Sequence, residues 1–198
     1  MNIKNLFITF VMMMVFCVSA SAAFIDNFTT DSKIKNSLIL LEQAGAEEVF
    51  ANLEENSVKI AFYDLSQISY SYMNHFAVNS IDSFGNRYIL INSRFKNASN
   101  EEIACIIAHE SFHKLSVATY EEEYLATEKE AYYWSILKKQ GKTYDSSELL
   151  SRLNNLQRLH VASNTDNNLI KEKINNSSFY KKQLAVSSLP NFATMLAR

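Results

Sequence analysis

Two histidines and a glutamate lie within five residues of one another in a largely apolar run of this chain. The run is IACIIAHESFHKL, residues 103–115, and it includes His109, Glu110 and His113. On a helix, residues four apart lie on one face, one turn from each other. Two imidazoles at that spacing can bind one tetrahedral zinc ion, and a glutamate between them can act on a water molecule. The pattern therefore predicts a Zn2+ site with His109 and His113 as metal ligands and Glu110 as general base.

The element that carries this motif has a clear helix start. Ser99 precedes Glu102 by three residues, which is the spacing of a capping box. Ile103, Ile106 and Ile107 follow and form an apolar side. We therefore expect a helix that begins after Ser99 and presents the two histidines together.

An HExxH motif on a capped helix directly after a strand resembles the zincin metallopeptidases, over about residues 57–140. The resemblance implies that His109 and His113 are the first two zinc ligands and that Glu110 is the general base in peptide-bond hydrolysis. Metzincins add a glycine and a histidine at the third and sixth positions after the second ligand, where this chain has Ser116 and Thr119. The closer resemblance is to gluzincins, whose third ligand is a glutamate on the next helix.

The next helix offers several glutamates. Thr119 and Glu122 form a second capping box, and Gly141 is the expected C-cap. Between them lie glutamates at positions 121, 122, 123, 128 and 130. Most glutamates on such a helix are solvated, and those in the first turn also suit the helix dipole. We expect one of them to face inward, toward the histidines.

Hairpin geometry favours Glu123 as the third metal ligand. An antiparallel pair of helices joined near residues 117–118 places residue 124 opposite residue 111, midway between the histidines. Residues 123–126 (EYLA) also match the Glu-x-x-Ala pattern of gluzincins, whereas Glu128 begins a second match about one turn further away. Glu128 is the main alternative, and Glu122 and Glu130 remain open.

Gluzincins often support the first histidine with an aspartate four residues after the glutamate ligand. This chain has Thr127 at that position, so Glu128 or a backbone carbonyl is expected to take that role.

Three short segments ahead of the motif alternate apolar and polar residues as half-buried strands do. They are residues 57–65, about 75–78, and 87–92, with a turn at residues 84–86 before the last. We predict a small antiparallel sheet. The segment YILIN, residues 88–92, resembles the edge strand along which zincins bind an extended substrate.

The N-terminus has the pattern of a secretory signal. Lys4 precedes an apolar run from Leu6 to Val18, and the small residues of ASA at 20–22 follow. A membrane anchor is the alternative, but the run is shorter than the roughly 20 residues that span a bilayer. We predict a signal peptide at residues 1–22, cleavage after Ala22, a secreted or periplasmic protein, and no stable membrane insertion after cleavage. Only Cys105 then remains, so no intramolecular disulfide is expected.

Composition indicates one mainly helical domain. The chain has 198 residues, 47% of them hydrophobic, a net charge of −2, three glycines and one proline. This balance does not suggest a nucleic-acid partner. We expect a first helix that is capped at residues 30–32 and runs toward Leu53. After residue 141 we expect a helix capped at residues 145–148, with a leucine stripe, and a last helix over about 169–185.

The sequence thus predicts an α-rich α+β fold, zincin-like, with a C-terminal helical part. Residues 23–198 form a single metallopeptidase-like domain, with a core at about 57–140 and a helical extension at 141–198. The predicted function is a secreted zinc metallopeptidase acting on a peptide or protein substrate. Two alternatives stay open: a zinc-stabilised binding module without catalysis, and a metal-free helical interaction protein.

Overall fold

The computed structural model describes residues 23–114, 119–138, 147–163 and 168–177, and it has the predicted α-rich α+β fold. The regular elements, in chain order, are α1 (Ser32–Gln43), α2 (Glu47–Glu55), β1 (Lys59–Tyr63), β2 (Ala77–Ile81), β3 (Arg87–Asn92), α3 (Asn100–Ser111), α4 (Tyr120–Leu137), α5 (Glu148–Ala162) and α6 (Leu169–Asn176). Within these four ranges, no helix combines the length and the hydropathy that crossing a bilayer requires. The predicted signal peptide lies outside the described residues.

The apolar segment after Asp31 forms two helices, whereas the sequence predicts one. Asp31 caps α1 as expected, because its carboxylate accepts hydrogen bonds from the backbone N–H groups of Lys33 and Ile34. The chain then leaves the helix at Gly45, whose φ is +72°. Glycine adopts this left-handed conformation without steric cost, so α1 ends there and α2 starts at Glu47.

The sheet is mixed, and the prediction of an antiparallel sheet is wrong. Its strand order is β1-β3-β2, with β3 antiparallel to β2 and parallel to β1. Successive strands do reverse direction along the chain. However, the connection at residues 64–76 carries the chain past the place that β3 later fills, so β3 enters between the other two. The sheet is mixed because β3 pairs with β1, which runs in the same direction, as well as with β2, which runs in the opposite direction.

β3 is therefore the central strand, and the expectation that YILIN forms a substrate-binding edge is also wrong. Ile89 and Ile91 on this strand are fully buried. A strand with partners on both sides has its backbone hydrogen bonds occupied along both edges. Within the described sheet the two end strands are β1 and β2.

Helix α3 lies at the centre of the core. All its residues from Glu101 to Ser111 are buried, and it packs against α1, α4 and the sheet. The predicted capping box is present, with Ser99 and Glu102 each accepting a hydrogen bond from the other's backbone N–H. Because α3 is surrounded on all sides, its histidines and glutamate are buried too.

Three helices, α4, α5 and α6, complete the described fold. The predicted capping box of Thr119 and Glu122 starts α4, and α5 begins after Ser147 with Leu149, Leu153 and Leu156 buried. Helix α6 packs on α4 and α5. Two helices end earlier than the sequence predicts: α4 ends at Leu137 with Lys138 in extended backbone, before the expected C-cap Gly141, and α6 ends at Asn176 with Ser177 extended, before residue 185. Gly141 and residues 178–185 themselves lie outside the described residues.

Candidate metal centre

The two histidines lie at the C-terminal end of α3. His109 is in its last turn, and His113 follows just after the helix ends at Ser111. The chain tightens there, because the N–H groups of Phe112 and His113 donate to carbonyls three residues earlier, at 3.2 Å each. Tightening keeps His113 close to the helix, so its imidazole still meets that of His109, with 5.0 Å between the ring centroids.

Asn79 on β2 holds this helix end in place. Its side-chain Nδ2 donates to the carbonyl of Glu110 at 3.3 Å and to that of His113 at 3.1 Å. Carbonyls at the C-terminal end of a helix lack the regular helical partners. Asn79 supplies a side-chain donor to the carbonyl of His113 and a second donor to that of Glu110, which also accepts from the N–H of His113, and so joins the sheet to the motif.

Glu123 on α4 brings the third donor to the histidines. It is 4% exposed, and its Oε2 and Oε1 lie 3.8 Å from Nε2 of His109 and Nε2 of His113, respectively. The two Nε2 atoms are 3.2 Å apart. One donor atom from each of the three residues can be chosen so that all lie within 4.8 Å of one another. The structure therefore brings together all three residues predicted as metal ligands.

These separations suit a tetrahedral metal ion. Zinc with ligands at about 2.0–2.1 Å holds neighbouring donor atoms about 3.4 Å apart, which lies between the two distances observed. Two imidazole nitrogens and one carboxylate are a donor set that zinc accepts, with a fourth position left for another ligand. Within the part of the chain described, Oε2 of Glu123 is buried without a hydrogen-bond partner. Such an atom is costly to bury, and a cation would supply the missing partner.

Glu128, the main alternative for the third ligand, is not part of this group. It interacts with the hydroxyl of Tyr124 on its own helix, and this interaction raises the pKa of Tyr124 together with burial, the larger cause. On α4 the inward stripe consists of Glu123, Thr127 and Glu130, all buried. Their spacing of four and three residues is that of one helix face.

Glu130 supports the first histidine, a role that the sequence assigned to Glu128 or a backbone carbonyl. Oε2 of Glu130 lies 3.0 Å from Nδ1 of His109, at ion-pair distance, although the contact is not a well-aligned hydrogen bond. Arg152 on α5 holds the same carboxylate with two hydrogen bonds, from Nε at 3.0 Å and from an Nη atom at 2.7 Å. The expectation for this supporting residue was therefore wrong by two positions along the helix.

Burial and charge shift the pKa values on this side of the centre. Burial alone would raise the pKa of Glu130, but Arg152 and His109 outweigh it and lower that pKa to about 2. Burial would likewise lower the pKa of His109, yet the contact with Glu130 reverses the direction and raises it. The two groups therefore favour each other's charged forms.

The pKa shifts of His113, Glu123 and Glu110 favour the neutral form of each side chain. Burial, with the neighbouring charge of His109, lowers the pKa of His113 to about 3, so at neutral pH its ring is neutral and one of its nitrogens has a lone pair that can bind a metal. Burial also raises the pKa of Glu123 and, with opposing effects of nearby charges, raises the pKa of Glu110 to about 7. In the metal-free protein a carboxyl with that pKa can take up or release a proton near neutrality.

Several aromatic residues of the described chain lie in other contacts. Tyr124 accepts a hydrogen bond from Asn168 at 2.6 Å, and Tyr132 stacks edge-on with Tyr133 and, more distantly, with His160. His75 lies against the ring of Tyr72. None of these contacts involves a proposed metal ligand.

Three residues that build this centre were not predicted in their roles: Asn79, Glu130 and Arg152. A sequence signal existed for Glu130, because seven residues are about two helical turns, which place Glu130 on the same face as Glu123. No comparable signal existed for Asn79 or Arg152, which come from a strand and a helix distant in sequence.

Comparison with known proteins adds no relative. The chain matches no protein-family model, no curated protein and no solved structure.

Proposed function

We propose that this protein is a secreted or periplasmic zinc metallopeptidase of the gluzincin-like kind, acting on peptide or protein substrates. The observation that carries the proposal is the convergence of His109, His113 and Glu123 on one buried point. Glu110 is also buried, and its carboxyl interacts electrostatically with His109 and Glu123. Secretion rests on the sequence of residues 1–22 alone.

The three converging side chains would hold the ion through two Nε2 atoms and a carboxylate. A zinc ion bound there would act as a Lewis acid that polarises the scissile carbonyl and lowers the pKa of a water molecule. Glu110 accepts a proton from the attacking water and passes it to the leaving amine. Glu130 keeps the ring of His109 turned so that Nε2 faces Glu123.

The position of β2 would allow an extended peptide substrate to bind along this strand. Its Asn79 contacts the motif directly, and the strand lies at one end of the sheet order. A peptide that adds to such a strand by backbone hydrogen bonds would lie beside the metal ligands. This placement replaces the one that the sequence suggested for β3.

The test begins with metal content and then looks for cleavage. The purified protein should contain about one equivalent of zinc, because a buried site of this kind is costly to leave without its ion. Incubation with a mixed peptide library, read by mass spectrometry, should reveal cuts that a chelator abolishes. Wild-type protein that contains no metal and whose melting temperature is unmoved by added zinc would refute the proposal and favour a metal-free interaction protein.

The catalytic step is tested with Glu110→Gln. The amide keeps the shape of the side chain but cannot accept the proton, so cleavage should fall by about 100-fold to 10,000-fold. Zinc content should stay near that of the wild type, because Glu110 is not one of the proposed ligands. Cuts that persist at the wild-type rate in the zinc-loaded variant would contradict Glu110 as the general base.

One observation favours a second candidate, a zinc site that only stabilises the fold. Glu110 and both histidines are each at most 9% exposed, so a substrate has little access to the centre, as would suit zinc that only stabilises the fold. Protein that retains zinc, cuts no peptide in the library, and unfolds when zinc is removed would support this candidate.

A further inference from the structure

The carboxylate behind His109 is held by a residue from a third helix. Arg152 on α5 donates two hydrogen bonds to Glu130, one to each carboxylate oxygen, at 3.0 and 2.7 Å. A paired arrangement of this kind fixes both the position and the plane of a carboxylate, whereas a single bond leaves it free to turn. The Glu130 side chain is 3% exposed, so water cannot readily replace the guanidinium.

The same carboxylate faces the metal centre. Its Oε2 lies 3.0 Å from Nδ1 of His109, and Nε2 on the other side of that ring lies 3.2 Å from Nε2 of His113. The imidazole is rigid, so the atom that holds Nδ1 determines where Nε2 points. Contacts thus run without a gap from Arg152 through Glu130 to the proposed metal-binding atom of His109.

Arg152 is itself confined by the sheet. Its guanidinium lies over the ring of Phe76, 5.4 Å from the centroid, and Phe76 stacks on Phe95 with 5.2 Å between centroids. Phe76 immediately precedes β2, and its carbonyl accepts a hydrogen bond from the N–H of Asn92 at the end of β3. An aromatic face on one side and a carboxylate on the other leave the guanidinium little freedom.

We propose that Arg152 is a positioning residue of the metal centre: through its two hydrogen bonds it fixes Glu130, which in turn orients His109 for metal binding. The inference rests on the metal site of the proposed function. It assigns the residue a geometric role and predicts that its loss weakens metal binding. A purely electrostatic role predicts the opposite sign, because removal of a nearby positive charge makes the site more attractive to a cation.

Zinc affinity of purified full-length variants separates the two roles. Competition with a chromophoric chelator should show about tenfold weaker zinc binding by Arg152→Met, the lower end of the range for loss of a residue that supports a metal ligand. Arg152→Lys should be weakened almost as much, because lysine keeps the charge but lacks the planar fork. Arg158→Met, an exposed arginine of the same helix, is the matched control and should bind zinc like the wild type.

The geometry itself can be observed with Co2+ in place of zinc. The visible absorption of bound Co2+ depends on the arrangement of its ligands, so both Arg152 variants should give altered spectra at saturating metal and Arg158→Met should not. General destabilisation of the fold would not change the spectrum of the fully loaded protein. Urea unfolding in the presence of a chelator measures that destabilisation separately.

A double-mutant cycle tests whether Arg152 acts through Glu130. Zinc binding by the Arg152→Lys, Glu130→Gln double variant should be no weaker than that by Glu130→Gln alone, because the contact that Arg152 supports is already lost. Additive losses would overturn the inference, as would wild-type affinity or tighter zinc binding in the Arg152 variants. If the wild type itself binds neither zinc nor Co2+, the metal site has failed rather than the role of Arg152.

Discussion

At the scale of single residues, the two glutamates that competed for the third ligand position differ in what they face. Glu123 is buried against the histidines, whereas Glu128, five residues later on α4, interacts with Tyr124. Five residues turn a helix by about 500°, which places the second side chain well away from the first on the helix surface. The two positions therefore form a matched pair for mutation.

We predict that Glu123→Gln weakens zinc binding by more than about tenfold, the smallest effect expected when even a supporting residue is lost. Glu128→Gln should leave the affinity within about twofold of the wild type, because it contacts no proposed ligand. Both are measured by competition with a chelator dye. The reverse order of losses would move the third ligand to Glu128.

Glu130 gives a prediction about acid stability. Its pKa in the folded protein is lowered from 4.5 to about 2. A carboxyl whose folded pKa is depressed stabilises the protein above its unfolded pKa, and this contribution is lost as the pH falls through the folded value. In the metal-free protein, the free energy of unfolding should therefore fall between about pH 4.5 and pH 2 partly because of Glu130.

The variant Glu130→Gln should lack that part of the pH dependence. It should be less stable than the wild type near pH 6, and the difference should narrow toward about pH 3, where the carboxylate contributes less. Urea titrations at several pH values, with chelator present, measure this. A constant difference across the range would show that the ionised carboxylate is not what stabilises the fold.

At the scale of elements, the end of α3 depends on a contact with β2. The hydrogen bonds from Asn79 to the carbonyls of Glu110 and His113 hold the chain between the two histidines. We predict that Asn79→Ala lowers the free energy of unfolding by about 1–3 kcal/mol, because the carbonyl of His113 loses its side-chain donor and that of Glu110 keeps only the N–H of His113. Zinc affinity should fall as well, because His113 lies beyond the last regular turn of the helix.

Ser80→Ala on the same strand is the control for that variant. Its side chain is partly buried like that of Asn79, but the hydrogen bonds from β2 to the motif come from Asn79. Stability from urea unfolding and zinc affinity should both remain close to the wild type. Equal effects of the two substitutions would mean that β2 tolerates no change, rather than that Asn79 holds α3.

At the scale of the whole molecule, the proposed ion joins α3 to α4 within the core. A ligand that binds only the folded state adds stability that depends on its concentration, about 4 kcal/mol at 1,000 times its dissociation constant. We predict that zinc raises the melting temperature of the wild type and that a chelator reverses the change. His113→Ala should remove this response to zinc, as scanning calorimetry with and without zinc would show.

Local sequence was enough for the parts of the fold that depend on near neighbours. The capping boxes at Ser99 and Thr119 start α3 and α4 where the sequence predicts them. The spacing of His109 and His113 predicts that their rings meet on one side of a helix, and they do meet, although His113 lies just past the helix end, where a tighter turn keeps it on that side. The same kind of argument predicts that Glu123 faces the histidines, since a short connection makes two helices antiparallel neighbours.

Tertiary structure alone decided what depends on residues distant in the chain. The alternating strand patterns do not state which strand lies in the middle, so β3 as the central strand and the mixed sheet could not be read from them. Arg152 and Asn79 reach the centre from elements 39 and 34 positions away from His113, as the numbering shows. Local propensity holds no information on such contacts, because they form only when whole elements pack and bury these polar groups against one another.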